Sequence, residues 1–142
     1  MSSPSLVQGN RIGTDTTGFS AVPNQDGIAI SDSTGNTIGG SAAGARNLIS
    51  GNTQVGIRVD DGSDNTIHGN WIGVDATGVA SLPNNTGILI TTSNQYGSGS
   101  FEVGGGAAGE ANVVSGNSGP GISVTARVGG SVSGNLIGVG AD

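Results

Sequence analysis

Gly27-Ile28-Ala29-Ile30, Gly56-Ile57-Arg58-Val59, Gly87-Ile88-Leu89-Ile90 and Gly121-Ile122-Ser123-Val124 are four copies of one tetrapeptide, Gly-Ile-x-[Ile/Val], spaced 29, 31 and 34 residues apart. Each copy alternates an apolar with a variable position, the period of two that sends successive side chains to opposite faces of a strand. A six-residue pattern, x-x-[Ile/Val]-x-Gly-[Asn/Gly/Ser], recurs seven times around them. It reads SLVQGN from Ser5, NTIGGS from Asn36, NLISGN from Asn47, NTIHGN from Asn65, FEVGGG from Phe101, NVVSGN from Asn112 and GSVSGN from Gly130. The last six copies start 11, 18, 36, 11 and 18 residues apart, so a unit of about two turns is itself duplicated. The linking stretch is copied as well. Residues 12–30 and 72–90 align without a gap, sharing Ile-Gly-x-Asp-x-Thr-Gly and Pro-Asn-x-x-Gly-Ile-x-Ile.

Every apolar element is short and fenced by Gly, Asn, Ser or Asp, which is strand grammar. No segment sustains the i, i+3, i+4 spacing of a helix. A repeat near 30 residues, built from short strands, describes a solenoid whose single coil cannot bury its own apolar face until others stack on it. The expectation is an all-β solenoid of about four to five coils, 29–34 residues each, with little or no helix. It forms one domain: full coils at 27–55, 56–86 and 87–120, and partial coils at 1–26 and 121–142. A β-sandwich is the competing fold, and the copied spacings argue against its strand pattern. Tight corners require positive φ or close backbone approach, which explains the 29 Gly in 142 residues. Asn at equivalent corners is expected to form amide ladders along the axis.

The segments NTIGG, GARNLISGN, NTIHGN, GNWIGVDATG and LPNNTGILI resemble the repeats of right-handed parallel β-helix proteins of the pectin-lyase-like superfamily. They are most similar to repeat-rich segments of large bacterial extracellular proteins. The resemblance spans residues 5–140 and implies an extracellular or cell-surface setting, as part of a larger protein. Left-handed helices carry a strict hexapeptide repeat, and calcium-loaded β-rolls a Gly-Gly-x-Gly-x-Asp nonapeptide; neither is present. Pectate-lyase and polygalacturonase signatures are not matched, so the resemblance transfers no catalytic residue.

Only 10% of residues are charged, with ten acids, four Arg and no Lys, giving a net charge of −6. Nucleic-acid binding requires a basic surface that releases counterions, so it is set aside; anionic membranes are disfavoured for the same reason. No apolar run is long enough for a membrane-spanning helix. The absence of Cys removes disulfides, thiolate metal sites and Cys nucleophiles. Residues 1–5 carry neither a basic nor an apolar signal region, so no signal peptide is expected in this chain.

Alternation points Ile57 and Val59 inward and Arg58 and Asp60 outward. Stacked coils then create outward rows Ala29, Arg58, Leu89, Ser123 and Ser31, Asp60, Thr91, Thr125. Arg58, Asp60 and Asp61, with Asp32 on the preceding coil, are the candidate catalytic groups: two carboxylates at roughly 5–9 Å can cleave a glycosidic bond. Equally, Arg58 and Asp60 can be a solvated pair on an exposed sheet. Asp60, Asp61 and Asp64 form the densest acidic turn and the candidate calcium site, the only cofactor considered. Asp15 and Asp75, at identical places in the duplicated loop, read as Asx-turn acceptors. His68, the sole histidine, lacks the partner that metal binding or catalysis needs and reads as outward decoration.

The largest break in the repeat, Thr91 to Ser100, contains the only Tyr. Tyr96 there and Trp71 at an outward corner are the candidates for a carbohydrate platform, since loops on a repeat scaffold carry binding. The Thr37–Thr66 column is interrupted by Glu102 and Ser131, too short for an ice-binding array. The leading functional expectation is a non-catalytic repeat module, a structural spacer or an adhesive, glycan-contacting domain. The alternative is a polysaccharide hydrolase or lyase acting at Arg58, Asp60 and Asp61. Open coil edges lead one to expect end-to-end self-association.

Overall fold

A computed structural model of the chain describes residues 4–93, 99–127 and 129–138. The strands follow the repeats. β1 (Leu6–Val7), β2 (Arg11–Ile12) and β3 (Ile28–Ser31) make the first turn; β4 (Thr37–Gly39), β5 (Leu48–Ile49) and β6 (Val55–Asp60) make the second. β7 (Asn65–His68), β8 (Trp71–Ile72) and β9 (Thr86–Thr91) follow, then β10 (Phe101–Gly104), β11 (Val113–Val114) and β12 (Ile122–Thr125), and finally β13 (Ser131–Ser133) and β14 (Leu136–Ile137). There is no helix among the described residues.

Each turn sends one strand to each of three sheets. Sheet 1 runs β1-β4-β7-β10-β13, sheet 2 runs β2-β5-β8-β11-β14 and sheet 3 runs β3-β6-β9-β12. Every strand pair is parallel, and the register places like on like: Ile28, Ile57, Ile88 and Ile122 in one row, Ile30, Val59, Ile90 and Val124 in another. The protein is therefore all-β, with three parallel sheets wound by one repeating turn.

The inward positions build the core. Ile38, Ile67 and Val103 come from sheet 1, Ile49, Ile72 and Val114 from sheet 2, and Ile57, Val59, Ile88 and Ile90 from sheet 3, all essentially inaccessible to water. Burying each such side chain contributes about 1.5–3 kcal/mol. Branched residues that stack on their own kind fill a narrow interior, and the ring of Phe101 packs against them.

Asparagines hold the corners, buried in the inner turns and exposed at Asn10 and Asn24. Along the first ladder, Asn10, Asn47, Asn70, Asn112 and Asn135, the backbone N–H and the side-chain amide of each residue donate to Oδ1 of the next. Asn24, Asn52, Asn84 and Asn117 form a second ladder of the same design, and Asn36 and Asn65 begin a third. The third stops where Phe101 takes the register position of Asn65 on the next turn. A ladder satisfies donors that water cannot reach, and a buried unpaired amide would cost about 1–3 kcal/mol.

The first ladder also divides the six-residue repeat. Five copies lie in sheet 1, but NLISGN and NVVSGN supply β5 and β11 of sheet 2. The closing Asn of NTIHGN, Asn70, is therefore stacked between the opening residues Asn47 and Asn112 of its sister copies. Turns alternate in consequence. The first and third pass tightly from sheet 1 to sheet 2 and extend a loop at 13–24 or 73–84 before sheet 3. The second and fourth do the reverse, with loops at 40–46 and 105–111. Like loops touch across the turn between them: Ala76 N–H donates to Gly18 O at 3.0 Å. This two-turn alternation is the duplication seen in the sequence.

Gly73 shows why the corner residue is fixed. Its φ is +87°, and a Cβ there would lie 2.3 Å from Ser115 O on the following turn. Only glycine combines that backbone conformation with that approach.

Candidate functional site

The outer face of sheet 3 carries Arg58 and Asp60, and the acidic turn with Asp61 and Asp64 follows β6. Register aligns Ala29 with Arg58 and Leu89, and Ser31 with Asp60 and Thr91, so the two expected outward rows exist. The pairing within them differs from expectation. Arg58 does not form its ion pair with Asp60; it turns to the preceding coil, where Nε donates to Asp26 Oδ2 at 2.7 Å and Nη2 to Oδ1 at 3.3 Å. Asp26 Oδ1 also accepts Val55 N–H at 3.0 Å. The Arg58 guanidinium, seconded by that backbone donor, holds the Asp26 carboxyl below the usual carboxylate range, and Asp26 raises Arg58 in turn. The fork geometry is that of a strong guanidinium–carboxylate pair.

The three aspartates of the acidic turn are directed to separate partners on the next coil. Asp60 accepts the Thr91 hydroxyl. Asp61 accepts Ser93 N–H and the Ser93 hydroxyl, both at 2.6 Å. Asp64 accepts Ser100 N–H at 3.2 Å and the Ser100 hydroxyl at 2.9 Å. These carboxylates bracket the two ends of the longest insertion in the repeat. Asp61 and Asp64 also adopt left-handed backbone, φ +52° and +54°, as does Asp32 at +50°; Asp tolerates this conformation better than most residues. Among the described residues no three His, Asp or Glu side chains are grouped to hold a metal.

Asp15 and Asp75 are turn acceptors, as their repetition suggested. Asp15 Oδ1 receives Gly18 N–H at 2.8 Å and Phe19 N–H at 3.2 Å, and Thr17 Oγ1 binds the same carboxylate. Asp75 Oδ1 receives Thr77 N–H at 3.0 Å, Ala80 N–H at 3.3 Å and the Thr77 hydroxyl. The threonine hydroxyl, with the backbone donors behind it, lowers the pKa of each. His68 Nε2 stands 3.5 Å from Glu102 Oε1 without a hydrogen bond, and among the described residues no other titratable side chain is paired with it.

Trp71 lies on β8, in the outward row of sheet 2 with Arg11 and Leu48. The guanidinium carbon of Arg46 sits 4.1 Å from the ring centroid, a cation–π contact that occupies one face. Tyr96 lies outside the described residues. Sequence reasoning missed Asp26 and Arg46. Asp26 immediately precedes the Gly27-Ile28 motif, one coil before Arg58, and that placement was the available signal. Arg46 falls in a loop that the neighbouring turn lacks, so no repeat position announced it.

No protein-family model, curated protein or solved structure matches the chain.

Proposed function

We propose that the chain is a right-handed parallel β-helix of the pectin-lyase-like kind, used as a non-catalytic repeat module: a spacer or adhesive segment of a larger extracellular bacterial protein that contacts glycans. The fold part rests on strands passing in turn through three parallel sheets, together with the repeat resemblance. The observation that carries the functional part is the engagement of the acidic turn. Asp60, Asp61 and Asp64 each tie one coil to the next, and Arg58 is committed to Asp26. A general acid or base must reach a substrate proton, and these groups hold the scaffold instead. The bacterial, exported setting follows from the resemblance alone.

The experiment is turnover of acidic and neutral polysaccharides by the wild-type chain and by Asp60→Asn. Neither protein is expected to release new reducing ends or unsaturated sugars above the blank. Wild-type release that disappears in Asp60→Asn would establish the polysaccharide hydrolase or lyase and overturn the module. Self-association belongs to the same reading. Among the described residues the outer edges of β1, β2 and β3, and of β12, β13 and β14, have no strand partner, and open edges pair with other edges. Light scattering is expected to show mass rising with concentration; a constant monomer mass would count against it.

A further inference from the structure

Two of the four arginines lie on a surface that the preceding roles leave unused. Arg11 and Arg46 line a cleft of about 340 Å3 with Leu48, Trp71 and Ala76, over the outer face of sheet 2. A second hollow of about 440 Å3 shares Arg46 and continues past Gly69 and Gly109. The alternating turns create this shape. Loops 13–24 and 73–84 wall one side of sheet 2, loops 40–46 and 105–111 wall the other, and the short two-residue strands form the floor between them. Arg46 stands where the two hollows meet.

The electrostatics of the cleft are unusual for this chain. Acids outnumber arginines ten to four, yet among the described residues no carboxylate comes within 4 Å of either guanidinium, whereas Arg58 has one. Arg11 makes one side-chain hydrogen bond, Nη1 to Thr16 O at 3.0 Å, which leaves its other donors open. Arg46 is held by the Trp71 ring rather than by an acceptor. Indole contact orients a guanidinium without consuming its N–H donors. Leu48 and Ala76 supply apolar floor beside these charges. Oriented forks with open donors match the oxygens of a carboxylate or a sulfate.

We infer that this cleft binds an oxyanion carried on a glycan, with Arg11 and Arg46 as the anion-binding pair and Trp71 positioning Arg46. The inference deepens the glycan-contacting part of the proposed function and rests on it, but not on the absence of catalysis. The oxyanion is either a sulfate ester or a uronate carboxylate, and the test separates them.

Trp71 is the only tryptophan, so its emission reports the cleft directly. The full chain is titrated with glucose 6-sulfate, glucuronate, inorganic sulfate and glucose to about 10 mM, which covers millimolar dissociation constants. Calorimetry serves as the second readout, and unfolding temperature as the control for fold. Saturable binding of at least one anionic sugar is expected, at least about tenfold tighter than glucose or inorganic sulfate and weakened by added salt. Which sugar binds identifies the oxyanion. Arg11→Gln and Arg46→Gln, both on exposed residues, are each expected to weaken binding about tenfold by calorimetry, with unfolding unchanged. Trp71→Ala is expected to do the same, while Trp71→Phe keeps affinity within about threefold because a ring remains under the guanidinium. Equal binding of glucose, equal binding of bare sulfate, or full affinity in the arginine variants would overturn the site. Silence of all four probes by both readouts would overturn it too, and would leave the non-catalytic module, which polysaccharide turnover tests, standing.

Discussion

Residues 12–30 and 72–90 are written alike and live differently. Both begin with an inward Ile, turn at a Gly with positive φ, close an aspartate-capped loop and return through Pro-Asn to a sheet 3 strand. In the later copy Ile72, Val74, Asp75 and Asn84 are buried; in the earlier one Ile12, Thr14 and Asp15 are half-buried and Asn24 is exposed. The difference is the number of covered sides, not local conformation. Stability in a stacked array is a sum of turn and neighbour terms, so the same residue matters more where a turn lies on both sides of it.

Asparagine 84 against asparagine 24 should break this comparison open most widely. Asn84 Oδ1 accepts both donors of Asn52, and its amide donates to Ile49 O at 3.0 Å and Asn117 Oδ1 at 3.0 Å. Alanine there strands several buried groups at once, and Asn84→Ala is expected to cost about 2–4 kcal/mol. The Asn24 side chain makes one bond, donating to Asn52 Oδ1 from the surface, where water replaces the lost partner, so Asn24→Ala should cost under about 1 kcal/mol. Urea unfolding midpoints at unchanged slope measure both. Equal losses would mean that the ladders are not what distinguishes the two copies.

That contrast also marks what the sequence could reveal. In a parallel stack, residues one period apart are neighbours, so the Gly-Ile-x-[Ile/Val] spacings placed Ile28, Ile57, Ile88 and Ile122 in a row without any structure. Asn ladders and the Asp15 and Asp75 turns were legible for the same reason. Two things were not. Seven copies of one hexapeptide pattern read as one kind of strand, but they divide between sheets 1 and 2, because loops of unequal length let Asn70 stack on Asn47. Side chains that cross rows diagonally were also hidden: Arg58 chose Asp26 over Asp60, and Arg46 chose Trp71. A period encodes which residue lies above which, and says nothing of how a long side chain leans.

Acid should sharpen the comparison next. Each loop aspartate has a folded pKa below its ordinary value of 3.8, lowered first by the threonine hydroxyl and then by backbone N–H donors. A depressed folded value means the carboxylate favours the folded state above the unfolded pKa, and that this contribution fades as pH falls through the folded value. Stability is therefore expected to drop below about pH 4. Asp75→Asn should lower stability at pH 5 more than Asp15→Asn, since its loop is covered, and each variant should flatten the acid limb below pH 4. Unfolding midpoints between pH 5 and pH 2.5 give the answer; an acid limb unchanged in both variants would remove the aspartate loops as its cause.

The smallest effect belongs to the loop tips, where the two copies differ by Phe19 against Val79. Both side chains are exposed, 56% and 59% respectively, and neither belongs to the core cluster. The tips follow the aspartate turns whose backbone bonds set the loop, Gly18 N–H to Asp15 O and Gly78 N–H to Asp75 O, so the side chain at the next position has nothing to fix. Exchanging them, Phe19→Val and Val79→Phe, should change stability by no more than about 0.5 kcal/mol in either direction. Thermal unfolding of each variant decides it. A loss above about 1 kcal/mol at Phe19 alone would mean that the earlier copy, short of neighbours, recovers cover from its own loop, and the burial difference between the copies would then overstate their difference in stability.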